Sequence, residues 1–204
     1  MDKILFTQRV EIVESYGERR DCADQNIVRF LLACEYLPVP VPNVKEVVEQ
    51  IFLSVKPAGV VLTGGNSLVK YGGNAPERDE TERGLLQLAI DSKVPVYGFC
   101  RGMQVVLDYF GCELVEVKGH VRASHKLNGI WEGEEVNSYH NQACIELKEP
   151  MQKLAWTDDG VVEAAGCDKY RILATMWHPE REKDFKREDI LRVRGLFRNQ
   201  GEMS

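Results

Sequence analysis

Gly98-Phe99-Cys100-Arg101-Gly102 places a thiol between two glycines, where an apolar run at 94–99 meets a segment of helical period at 103–110. A nucleophile on a sharp strand-to-helix turn uses this arrangement: flanking glycines let the chain bend and present the side chain at the end of a sheet. At the N-terminus of the helix that follows, the backbone dipole favours a thiolate. The N–H of Arg101 would then face an acyl carbon under attack and supply half an oxyanion hole. Taken alone, the same five residues also fit a buried structural thiol.

A nucleophilic cysteine needs a base, and the chain offers His120, His125, His140 and His178. His178 follows an apolar run at 172–177, which sets it at a strand end. Across Pro179, Glu180 can return its carboxylate to the imidazole, fix its tautomer and stabilise imidazolium. The competing reading is a capping histidine beside a solvated acid. His120 and His125 are five residues apart, share no helix or strand face, and have no acidic or cysteine partner at ligand spacing, so no metal is expected. Gly64-Gly65 lacks the Gly-Lys-Ser/Thr of a phosphate-binding loop, and no cofactor is expected.

Three separated motifs, Gly-Phe-Cys100-Arg-Gly-Met-Gln104, Thr63-Gly-Gly65 and His178-Pro-Glu180, together resemble the class I glutamine amidotransferase-like family over about residues 58–182. The resemblance implies that Cys100 attacks a γ-glutamyl amide, with His178 as base and Glu180 as its orienter. It also implies a second oxyanion donor in the backbone around Gly65 and Asn66, opposite Arg101. Gln104, Ser138, Tyr139 and His140 become candidates for holding the amino-acid end of the glutamyl group.

Cys-Arg-Gly-Met-Gln, the stretch 136–142 and Tyr71-Gly72 look like the γ-glutamyl hydrolase (peptidase C26-like) branch, although Asn66 and the short chain depart from it. Residues 118–126, with Arg122, form the one locally basic stretch, and Arg101 lies beside the nucleophile. A basic rim invites an anionic leaving group. The resemblance thus implies a nucleotide-bearing substrate such as γ-glutamyl-CDP-amidate, of capsule phosphoramidate synthesis. Alternatives are γ-glutamyl-GABA, or glutamine in a subunit that delivers ammonia to a separate synthetase; a solvated basic loop is the plain reading of 118–126.

These groups must be positioned by a fold that 204 residues can build as one domain, 1–204, burying roughly 70% of the extended chain's surface. Residues 4–8 predict a strand, 23–34 a helix, and 36–41 an edge strand, since Pro38 and Pro40 cannot donate to a ladder. Asn43 is expected to cap a helix bearing Val44, Val47, Val48 and Ile51. Residues 58–63 and 94–99 read as buried parallel strands, 66–76 as a loop, and 81–92 and 103–110 as helices. The alternation predicts an α/β domain with a mostly parallel sheet and helices on both faces. Runs at 113–117, 134–139, 143–147, 161–165 and 172–176 predict antiparallel additions to that sheet in the second half, and 183–199 a surface helix.

Hydrophobic residues at 44% and charged residues at 28% exclude a disordered or fibrous chain. A net charge of −6 argues against nucleic acid as a partner. The partner expected is instead a small γ-glutamyl compound. The six cysteines form no CxxC pair and are expected as free thiols. No apolar run approaches the roughly 18 residues of a membrane span, and no signal-peptide core opens the chain, so a cytoplasmic location is expected. The oligomeric state is left open.

Overall fold

A computed structural model describes residues 1–198. Its central sheet has eight strands in the order Leu37–Val41, Lys3–Thr7, Gly59–Leu62, Val96–Phe99, Ile172–Thr175, Val162–Cys167, Gln152–Trp156 and Asn128–Gly129. The first five run parallel and the last three add on antiparallel. The proline-bearing strand is the edge, as expected.

Strand alternation divides the interior in two. Leu5, Val60 and Val96 sit side by side in register and face one core, shared with Val48, Phe52, Leu85, Leu86, Val105 and Val106 of helices Lys45–Val55, Pro76–Asp91 and Arg101–Tyr109. Ile4, Phe6, Val61, Tyr97 and Phe99 face the other core, filled by helices Gln25–Ala33 and Arg187–Phe197. The second layer closes tightly: a methyl on Gly59 would lie 2.4 Å from Cδ1 of Phe197. Three adjacent parallel strands, Gly59–Leu62, Val96–Phe99 and Ile172–Thr175, end on one carboxyl edge, where crevices form in such sheets.

The fold departs from expectation in several places. Ile172–Thr175, expected as an antiparallel addition, runs parallel beside Val96–Phe99, and Gln152–Trp156, where no strand was expected, joins the central sheet. An antiparallel hairpin, Arg9–Val13 with Glu18–Cys22, was not foreseen, because its charged and exposed second strand carries no apolar alternation. Val121–Lys126 pairs with Glu135–Tyr139, and Val115–Glu116 with Gln142–Ala143, as separate two-stranded sheets and not as additions to the central one. Helix Pro76–Asp91 starts five residues before the expected 81, with Pro76 at its first position, where a missing N–H costs nothing. Asn43 is no cap; Val44 precedes the helix, and Nδ2 of Asn43 donates to Asp21 Oδ1 and the Gln8 carbonyl. The last helix, Arg187–Phe197, buries Val193 and Phe197, and the expectation for 199 lies outside the described residues.

Candidate active site

Cys100 leaves the strand Val96–Phe99 with φ 51° and ψ −111°, a conformation that strains any residue with a Cβ. The neighbours hold it there: the Cys100 N–H donates to the Thr175 carbonyl at 2.8 Å, and Gln104 N–H donates to the Cys100 carbonyl at 3.1 Å. Both flanking glycines serve close approach. A methyl on Gly102 would lie 1.9 Å from the Leu62 carbonyl oxygen, and one on Gly98 would lie 2.8 Å from the Gly102 backbone. Helix Arg101–Tyr109 therefore packs directly on two strands with Cys100 at its N-terminus. The first amides of that helix have no intrahelical acceptor, so the Arg101 N–H is available beside the sulfur.

His178 follows strand Ile172–Thr175 and is 2% exposed. Asn137 grips its backbone from both sides, with Oδ1 accepting from the His178 N–H and Nδ2 donating to the His178 carbonyl, each at 2.9 Å. Nδ1 lies 2.7 Å from Oε1 of Glu180, which leaves Nε2 for the Cys100 sulfur. The edges of Phe99 and Tyr139, with ring centroids 5.8 and 5.7 Å away, fix the plane of the imidazole. Burial alone would push the imidazole toward neutrality. The charge and hydrogen bonding of Cys100, followed by Glu180, outweigh it and raise the His178 pKa to about 9. Cys100, His178 and Glu180, carried past the ends of two neighbouring parallel strands, are thus one contiguous relay that can form a thiolate–imidazolium pair.

Above this pair lies the turn Thr63-Gly64-Gly65. A methyl on Gly64 would sit 2.7 Å from Cε1 of His178 and 3.6 Å from Cβ of Cys100, so glycine is needed for the loop to approach. A residue with no part in the sequence reading organises it. Arg78, fully buried, donates through Nη2 to the carbonyls of Thr63 and Gly64 at 2.8 and 2.9 Å, and through Nη1 to that of Gly65. In a trans peptide the N–H points opposite the C=O, so this clamp turns the amides of Gly65 and Asn66 away from Arg78. Asn66, at φ 54°, occupies the left-handed region that Asn tolerates, and its amide pairs with both backbone groups of Val10. That contact anchors the unforeseen hairpin to the turn. One signal for Arg78 was present: Arg78, Glu82, Leu85, Leu86 and Ala89 share one helical stripe, and charges on an apolar stripe imply a buried pair.

Two cavities flank the His178 ring. One is lined by Gly65, Asn66, Cys100, Gln104, Tyr139 and His140, which brings together most of the expected glutamyl-end residues. Ser138 is not among them, because its buried hydroxyl donates to the His120 carbonyl at 2.6 Å. The other cavity is lined by Arg9, Thr63, Gly64, Glu180 and Arg181. The basic rim expected from Arg101 and Arg122 is corrected by the structure. Arg101 lines the first cavity beside Cys100, but its side chain is 1% exposed and paired with Glu82 and Asp79, while Arg122 is exposed and lines neither cavity. An isolated charge is costly to bury, so these carboxylates draw the guanidinium inward. Arg9 and Arg181 take the rim positions.

Spacing along the chain also misjudged the histidines. The turn at Gly119 and the pairing of Val121–Lys126 with Glu135–Tyr139 bring His120 and His125 face to face, and the central strand Val162–Cys167 adds Glu163. Ligand atoms of His120, His125 and Glu163 lie within 4.8 Å of one another, so an acidic partner does stand at ligand distance.

Comparison with known proteins matches the model of glutamine amidotransferase class-I to residues 19–195. A γ-glutamyl-CDP-amidate hydrolase of Campylobacter jejuni is 29% identical over 92% of this chain and 94% of its own. A GMP synthase of Nitratiruptor is 28% identical over 72% of this chain but only 28% of its own length. A solved Thermoplasma acidophilum structure assigned to a GMP synthase subunit superposes with a TM-score of 0.70 at 19% identity, covering 97% of this chain and 93% of that one. With its sheet and helices matching that fold and the family model spanning most of its length, the chain is an amide-hydrolysing enzyme that belongs to the class I glutamine amidotransferases.

Proposed function

We propose that this enzyme hydrolyses a γ-glutamyl amide through a thioester on Cys100, and that γ-glutamyl-CDP-amidate is its substrate. The relay of Glu180, His178 and Cys100 beneath the Gly64-Gly65 turn carries the reading. The thiolate adds to the γ-carbonyl carbon, and the resulting oxyanion is met by the amides of Arg101 and of Gly65 or Asn66. Imidazolium at His178 protonates the leaving nitrogen as the C–N bond breaks. Water then gives a proton to His178 and adds to the thioester, releasing glutamate and restoring the thiolate.

His178 and Arg181 line both cavities, and Arg9 lines the second with Asp24 and Glu180, so a leaving group that takes its proton from His178 has two guanidinium groups within reach. Two guanidinium groups there suit a diphosphate. Similarity to the Campylobacter hydrolase along nearly the whole of both chains supports the same assignment. The test is a comparison of kcat/KM for glutamine, γ-glutamyl-GABA, a γ-glutamyl peptide and γ-glutamyl-CDP-amidate. A large preference for the nucleotide is expected. Preference for neutral amides would overturn the substrate and keep the hydrolase; glutamine turnover that rises only with a synthetase present would select ammonia delivery.

A further inference from the structure

The geometry points to a divalent transition-metal site formed by His120, His125 and Glu163, behind the cavity wall that carries His140. It departs from the expectation drawn from histidine spacing and is independent of the reaction proposed above. His120 and Glu163 are 1% and 0% exposed, and the His120 and His125 rings lie 4.2 Å apart. Around a tetrahedral ion with bonds of about 2.1 Å, ligand atoms stand roughly 3.4 Å from each other, so a set already within 4.8 Å closes by small side-chain rotations.

Unpartnered atoms converge on this spot. Nδ1 of His120, Nε2 of His125 and Oε2 of Glu163 are buried and make no hydrogen bond among the described residues, and Nδ1 of His120 stands 3.3 Å from Oε1 of the same Glu163. Buried polar atoms are rarely left so, and three together on imidazole and carboxylate groups ask for a shared cation. The outer contacts are those of a metal ligand. Nε2 of His120 lies 2.9 Å from Oδ2 of Asp159, so the carboxylate can take the distal N–H and present Nδ1 as a lone-pair donor. His140, outside this set, holds the carboxylate from behind, with Nε2 3.3 Å from Oε1 of Glu163. Two imidazoles with one carboxylate suit Zn2+ and similar ions, with water as a fourth ligand, and lack the oxygen-rich set of Mg2+ or Ca2+. The ion would tie the hairpin of Val121–Lys126 and Glu135–Tyr139 to the central sheet, and with it Tyr139 and His140.

The test is titration of chelator-stripped protein with Zn2+ by calorimetry, with Co2+ as an optical probe. It uses the wild type and a Cys100→Ser background, so that the reactive thiol does not compete. One equivalent should bind in both, raise the melting temperature, and give the d–d bands of four-coordinate cobalt without sulfur charge transfer. His125→Ala should abolish binding. Asp159→Asn, at an exposed position outside the ligand set, should weaken it by about 10- to 100-fold. Absence of stoichiometric uptake would overturn the site, leaving protons as the occupants of the cluster. Uptake that survives both His125→Ala and Asp159→Asn, or that disappears with Cys100→Ser, would also overturn it.

Discussion

Nη2 of Arg78 donates to the carbonyl oxygen of Gly64 at 2.9 Å, from a guanidinium with no solvent exposure. Arg78 thereby sets the orientation of a turn that itself touches both His178 and Cys100. Replacing Arg78 by Lys keeps a charge but not the fork that spans three carbonyls. The expected outcome is a fall in kcat of about 10²- to 10³-fold, the usual loss for one oxyanion donor, with a smaller change in KM. Steady-state kinetics beside a circular-dichroism melt would check it; an unchanged kcat in folded protein removes Arg78 from the oxyanion loop.

Cys100→Ala should lose about four or more powers of ten in kcat while retaining substrate, since a covalent nucleophile has no substitute. His178→Ala should fall by a similar factor and Glu180→Ala by less, because orienting a base contributes less than being one. Acid-quenched wild-type enzyme should show a γ-glutamyl adduct on Cys100 by peptide mass spectrometry. Substantial turnover in Cys100→Ala would end the thioester mechanism.

The His178 pKa, raised from 6.5 to about 9, sets two pH dependences. A raised folded-state pKa stabilises the fold fully below the unfolded value and loses that contribution as pH rises through the folded one. The melting-temperature advantage of wild type over His178→Gln should therefore be largest below pH 6.5 and shrink toward about 9. Catalysis should fall over the upper end of the same range as imidazolium is lost. In Cys100→Ala the imidazole should titrate lower, since the sulfur's charge and hydrogen bond both raise it, and proton NMR of the ring would read that directly.

Arg9→Gln and Arg181→Gln should each raise KM for a γ-glutamyl nucleotide about 10- to 100-fold, the worth of a charge-assisted phosphate contact, and leave neutral amides nearly unaffected. Arg122→Gln should leave KM unchanged for both kinds of substrate. Arg101→Met should act instead on stability, by about 3–5 kcal/mol, because it removes the buried cation that Glu82 and Asp79 share and leaves Glu82 with Arg78 alone. Equal KM changes for neutral and anionic substrates would remove the two arginines from the leaving-group side.

Gly64→Ala brings a methyl to 2.7 Å from the His178 ring, whereas Gly102→Ala drives one to 1.9 Å from a backbone oxygen. The first should reduce activity with a modest change in melting temperature, since the imidazole edge can tilt. The second should be mainly destabilising, because neither strand nor helix can retreat. Thermal melts and kinetics on the pair would separate these effects, and the reverse order would show that the turn yields more easily than the ring.

Local chemistry was legible along the chain. The thiol at a strand-to-helix junction, the His178-Pro-Glu180 step and the apolar strands all rest on contacts between near neighbours or on period, which a sequence displays. Which groups face a cavity was decided by tertiary structure. Arg101 adjoins Cys100 in sequence and lines its cavity, yet Glu82 and Asp79 draw its side chain inward; Arg9 and Arg181, from distant segments, bring their guanidinium groups to the cavities beside His178. Asn137 holds His178 from 41 residues away, and Arg78 shapes a turn from a different helix. His120 and His125 show no shared face in one dimension, and a hairpin with Glu163 at its back gives them one. Charges inside a fold are placed by the energy of pairing them out of water, a term that depends on partners far along the chain and leaves no periodic trace.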